Sequence, residues 1–223
     1  MTNPVIRLEF KKFGGLKYIS HLDLQRALLR FIKRARIPVR YTEGFNPHPK
    51  IVFALTLSVG CESECELVDV YIERNEENPD KIKITPEEFE KALNEVLPKG
   101  LELVRAFYPD KSFSLICSAD YDITVYKKRE ENMAHGLKDA FSRPVEVLKK
   151  TKSGEKLIDI TPLVFSFSCN DEGKTLKIKA RLSATQTEYL NPDVFMKGFI
   201  STPCGENVDS WQVVRTAINF KEN

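Results

Sequence analysis

Cysteine is scarce in this chain: five residues in 223, at Cys61, Cys65, Cys117, Cys169 and Cys204. An odd number, set mostly in apolar or strand-like surroundings, excludes an oxidised disulfide framework as the scaffold. Only Cys61 and Cys65 are close, in GCESEC, and a lone C-x3-C lacks the second ligand pair that zinc requires. That stretch reads as a loop leading into a strand. Long apolar runs are missing too, none approaching the ~18 residues of a membrane span. The start, MTNPVIRLEF, has no basic-then-apolar signal pattern. A cytoplasmic protein without a membrane partner is therefore expected. Neither a G-x-x-x-x-G-K-[ST] phosphate loop, nor G-x-G-x-x-G, nor a three-cysteine cluster for an iron–sulfur centre occurs, so this chain is expected to hold no metal or cofactor.

What is present suits a globular protein of one large or two small domains, with 42% hydrophobic and 30% charged residues. The formal charge of +2 conceals an asymmetry. From Val5 to Gly60 eleven Lys/Arg face three Asp/Glu; from Cys61 to Asp110 six face fourteen. From Lys111 onward the balance is near neutral, seventeen against fifteen. A positive block beside a negative one implies either an anion-binding face or two blocks that face each other.

Period-two alternation marks Val5 to Phe13 as a strand, broken by Gly14-Gly15. Ser20 is placed to cap a helix running to about Ala35, with Asp23 complementing its dipole. Leu24, Leu28, Phe31, Ile32 and Ala35 share one face of that helix, and Arg26, Arg30, Lys33 and Arg34 fall opposite. Extended pieces are expected at Val39 to Tyr41 and Ile51 to Leu57, separated by the irregular TEGFNPHPK. A strand at Leu67 to Ile72, a helix opened by Thr85-Pro86-Glu87-Glu88 and a strand at Leu101 to Tyr108 follow. This order is the split βαβ, or ferredoxin-like, unit. Tyr121 to Tyr126, a helix over Glu130 to Phe141, extended Val145 to Leu148 and Leu163 to Ser168, Leu176 to Leu182, a helix over Pro192 to Ile200 and Gln212 to Phe220 give a second reading of the same kind. The expected fold is α+β: two tandem ferredoxin-like (βαββαβ) units with antiparallel sheets, residues 1–110 and 111–223.

Three features carry candidate chemistry. The basic helix face, extended by Arg36 and Arg40, forms a strip able to neutralise phosphates; its plain alternative is a solvated face paired with the acidic block. Ser20-His21-Leu22-Asp23 contains the residue types of a catalytic triad, yet triads converge from distant segments, and consecutive residues here more simply cap a helix. In Gly44-Phe45-Asn46-Pro47-His48-Pro49-Lys50 two prolines stiffen a loop that presents Asn46, His48 and Lys50 to a phosphate or base, with Phe45 and Tyr41 available for stacking. The alternative there is that Phe45 anchors the loop in the core and His48 caps a turn. His21 and His48 are the candidates for acid–base catalysis, should the chain cleave RNA. Glu62, Glu64, Glu66 and Asp69 are read as a solvated face rather than a cation site.

Ser20 to Asp23, the basic helix Arg26 to Arg34, the loop Gly44 to Pro49, and Leu57 to Gly60 followed by Glu66 and Asp69 together resemble the signature of the radical-SAM-linked protein family, a bacterial family of unknown function. The resemblance is specific over Phe13 to Val70, with fainter echoes at Lys156 to Ile160 and Asn191 to Val194. It implies a radical-SAM enzyme as partner, which would carry the iron–sulfur cluster and S-adenosylmethionine, and a setting in RNA processing. It transfers no active site. By architecture alone the chain is also similar to tandem ferredoxin-like RNA-binding proteins such as repeat-associated RNA endonucleases, an analogy of fold. The leading expectation is a non-catalytic RNA-binding or substrate-presenting subunit acting on tRNA or rRNA. An acid–base enzyme and a protein-interaction module with a basic docking face are the alternatives.

Overall fold

The computed structural model describes residues 4–74, 83–151 and 154–222. The chain divides into two compact units, Met1–Phe113 and Ser114–Asn223. Both are mixed α+β, with antiparallel strand pairing and, among the described residues, four α-helices in the chain.

In the first unit β1 (Val5–Lys12), α1 (His21–Arg34), β2 (Ile51–Phe53), β3 (Glu62–Tyr71), α2 (Pro86–Asn94) and β4 (Leu101–Phe107) follow in order. The strands lie in the order β4-β1-β3, with β2 on β3. Alternation explains the packing. Ile6, Leu8 and Phe10 of β1 and Val68 and Val70 of β3 point to one side, where Leu24, Leu28 and Ile32 of α1 and Phe89 and Leu93 of α2 close a single core. Thr85 and Glu88 form a reciprocal capping box that starts α2. On the other side Arg7 donates to both Asp69 carboxylate oxygens, at 2.6 and 2.9 Å, and its guanidinium lies 3.9 Å from the Phe113 ring centroid.

One expectation fails here. GCESEC is not a loop: β3 begins at Glu62, with Ser63 and Cys65 turned inward and Glu64 outward. Two acids in alternation with small buried residues disguise a strand as a turn. Conversely, the extended piece at Ile51 keeps strand pairing only to Phe53.

In the second unit β5 (Ile116–Lys127), α3 (Ala134–Ala140), the hairpin β6 (Glu146–Thr151) and β7 (Gly154–Asp159), β8 (Val164–Glu172), β9 (Thr175–Ser183), α4 (Pro192–Ile200) and β10 (Val208–Phe220) follow. The sheet order is β10-β5-β9-β8, and β6-β7 form their own two-stranded sheet. The turn-rich TKSGEK hides β7 from sequence reading, and residues 152–153 within it lie outside the described residues. Phe141 of the α3 end stacks on Phe195 of α4 at 4.8 Å, and both rings meet Phe167 of β8, so α3 and α4 share the inner face of the sheet.

Candidate nucleic-acid interface

α1 is built by its first and last turns as much as by its apolar stripe. The Ser20 Oγ accepts the Asp23 N–H at 3.2 Å and donates to the Asp23 carboxylate at 2.7 Å. That hydroxyl, aided by the nearby Arg26 guanidinium, holds the Asp23 carboxyl below its ordinary value. The Ser-His-Leu-Asp sequence is therefore a helix cap: Ser20 and Asp23 are engaged with each other, and His21 meets the Phe53 ring edge-on at 4.9 Å.

With Leu24, Leu28 and Ile32 buried, the wheel turns Arg26, Arg30, Lys33 and Arg34 to solvent, and all four are exposed. Arg26 reaches Asp23 at 3.3 Å. Arg30, Lys33 and Arg34 have no ion pair among the described residues. The acidic block has, among the described residues, no carboxylate paired with this strip. Its carboxylates serve other cations: Asp69 holds Arg7, Glu62 accepts the Gly14 N–H and faces Lys17 at 3.5 Å, Glu102 faces Lys11, and Glu73 holds Lys83. Cys61 and Cys65 are buried, and the Cys65 N–H donates to Ser63 Oγ at 3.3 Å.

The helix ends before Pro38. The Arg36 N–H donates to Lys33 O and the Ile37 N–H to Ile32 O, closing a Schellman motif with Ile32 and Ile37 both buried. Arg36 occupies the left-handed position of that motif with φ of 56°, where glycine is usual. An exposed cation thus stands at the one backbone position that disfavours it.

The next segment folds back on itself. Thr42 N–H donates to His48 O, Lys50 N–H donates to Arg40 O, and Tyr41 bridges to Pro49. Within this closed loop the His48 Nδ1 sits 3.2 Å from both Asn46 O and Thr42 Oγ1. A carbonyl can only accept, so the bond to Asn46 O requires a proton on Nδ1, and the ring itself is exposed. Phe45 is fully exposed at 112% of its reference area, so it does not anchor the loop in the core. Tyr41, Asn46 and His48 are exposed as well. Arg40 pairs with Glu43 at 2.9 Å, and the Lys50 ammonium lies 4.2 Å above the Tyr71 ring, both half-buried cations.

The strip and the loop are thus joined through Ala35 to Arg40. His21 and His48 are anchored differently, His21 on Phe53 and His48 at the loop base. Phe53 lies five positions beyond His48, on the order of 16 Å of extended chain. Sequence reasoning missed three exposed apolar side chains, Tyr18, Leu22 and Val59; the Gly60 N–H bond to Lys17 O brings together the stretches that bear Tyr18 and Val59. Only their apolar character amid polar neighbours signals them.

No curated protein matches the chain significantly. Among solved structures it is similar to a chain of a Cbf5-Nop10-Gar1 complex, with TM-score 0.50, 11% identity, 99% of this chain and 50% of that one covered. It is also similar to a chain of an H/ACA RNP bound to a substrate RNA containing 2'-deoxyuridine, with TM-score 0.49, 11% identity and coverage of 99% and 49%. The chain therefore spans about half the length of these neighbours, and the likeness to the Cbf5-Nop10-Gar1 chain is one of fold. A family model described as "Uncharacterized protein conserved in bacteria (DUF2344)" matches residues 6–192, and the chain belongs to that family.

Proposed function

We propose that the chain is an accessory RNA-binding protein that presents tRNA or rRNA to a radical-SAM enzyme, with α1 and the Arg40–Lys50 loop as its first contact surface. The observation that carries this reading is the row Arg30, Lys33, Arg34 and Arg36, four exposed cations without ion pairs among the described residues, leading into a loop that offers Phe45 to solvent. Unpaired cations release the counterions of a phosphate backbone, and an exposed ring next to them stacks on an unpaired base. The strand orders β4-β1-β3-β2 and β10-β5-β9-β8 support reading both units as ferredoxin-like, the second with β6-β7 inserted after its first helix. A fold shared with a chain of a Cbf5-Nop10-Gar1 complex is compatible with an RNA setting, and the radical-SAM partner rests on the family resemblance of the Ser20 to Pro49 signature. A protein-docking role is the second reading, favoured by the exposed Tyr18, Leu22 and Val59.

Binding of the full chain to tRNA and rRNA fragments across a salt series tests the RNA reading. Affinity is expected to fall steeply with salt, and replacing Arg30, Lys33 and Arg34 by Gln is expected to flatten the logarithmic slope by about 2 to 3. RNA binding that is absent at low salt, with an acidic protein bound instead, would decide for docking.

A further inference from the structure

The second unit has a sheet face that the proposed first surface does not use. Along β9, Leu176, Ile178, Ala180 and Leu182 are buried toward α3 and α4, so Lys177, Lys179 and Arg181 point to the opposite, solvent side. Neighbouring strands obey the same alternation. On β5, Asp120, Asp122 and Thr124 flank these cations in register, and on the edge strand β8, Ser166, Ser168 and Asn170 do so. The central part of this face is a groove of about 480 Å³ lined by Asp120, Asp122, Ser166, Ser168, Lys179 and Arg181 among others.

The charges in the groove are not equivalent. Arg181 donates twice to Asp120, at 2.7 and 2.8 Å, which fixes its guanidinium while half of the side chain stays exposed. The same pair holds the Asp120 carboxyl below its ordinary value. Lys177 is steadied by the Thr124 hydroxyl at 3.1 Å, and Lys179 has no ion pair among the described residues. Side chains two apart on a strand repeat every ~6.7 Å, a spacing comparable with that of successive phosphates in a single strand. Asp122 is exposed beside this row. A carboxylate repels phosphates but accepts the exocyclic amino groups of bases, and serine hydroxyls serve either edge. Such edges are reachable on an open face only when the bases are unpaired.

We infer that this open face is a second RNA site, specific for single strands, in which Lys177, Lys179 and Arg181 follow the backbone while Asp122, Ser166 and Ser168 meet base edges. The inference builds on the RNA reading above but uses residues that reading leaves idle. It gives the substrate a class: an RNA with an unpaired segment.

The test uses the full chain and a short single-stranded oligoribonucleotide carrying 4-thiouridine, with the same sequence as a duplex for comparison. Photo-crosslinks are mapped by mass spectrometry, and affinity is measured for Lys177→Gln/Lys179→Gln beside Arg30→Gln/Lys33→Gln/Arg34→Gln. All five positions are exposed, and thermal melting confirms that both variants fold. Crosslinks within Val164–Ser183 are expected, with about a tenfold loss of single-strand affinity in the β9 variant and a salt slope smaller by about 1.4. Crosslinks confined to residues 21–50, with the β9 variant unchanged, would overturn the groove and leave the α1 reading standing. Normal binding by the α1 variant with crosslinks on β8 and β9 would do the reverse. If no RNA crosslinks to β8 or β9, the inference fails, whether that face proves to bind a protein or nothing.

Discussion

Arg36 sets backbone stability against surface charge within one residue. A non-glycine residue in the left-handed region costs about 1 kcal/mol, and the Schellman geometry around Arg36 would accept glycine without change. Replacing Arg36 by Gly is therefore expected to raise stability by about 0.5 to 1 kcal/mol while weakening RNA binding. Denaturant midpoints and a binding isotherm on the same preparation check both halves; a variant that is less stable, or that binds RNA as well as the parent, contradicts the role given to this cation. The charge of Arg36 was legible in the sequence, but its backbone state was not, because an arginine gives no sign of the left-handed position that glycine usually takes. The same limit applied to His48. Its place in a proline-stiffened loop was readable, whereas the Asn46 carbonyl that meets its Nδ1 belongs to the three-dimensional turn.

Elements were most legible where two independent signals agreed. α1 combines a serine cap, a first-turn aspartate and an apolar stripe, and the expected helix to Ala35 ends one residue earlier. α4 coincides with its expected span because Asn191 caps it and Pro192 fits its first turn. β7 and the start of β3 were lost where lysines, glutamates and a glycine imitate turn chemistry, since composition says little when a strand is held mainly by its pairing. α1 also offers an internal comparison of its two faces. Leu28 is 2% exposed and Leu22 60%, so truncation to alanine is expected to cost about 2 to 5 kcal/mol at Leu28 and less than about 0.5 kcal/mol at Leu22. Urea unfolding of the two variants measures the difference. A large loss at Leu22 would mean that α1 sits differently on its sheet, and the cationic strip would move with it.

For the whole molecule, a formal charge of only +2 means that long-range attraction to RNA is weak unless cations are placed together. Position can be separated from total charge. Arg26, Arg30, Lys33 and Arg34 changed to Gln remove four charges from one strip; Lys91, Lys99, Lys138 and Lys197 changed to Gln remove the same four from dispersed exposed sites. Both variants then carry the same net charge, so any non-specific attraction falls equally. The strip variant is expected to lose about a hundredfold or more in RNA affinity at moderate salt, and the dispersed variant to stay within about threefold of the parent, because isolated exposed cations act only within the ~10 Å screening length at 0.1 M salt. Equal losses in the two variants would show that RNA is drawn by the net charge alone, and α1 would lose its claim to be a surface built for phosphates.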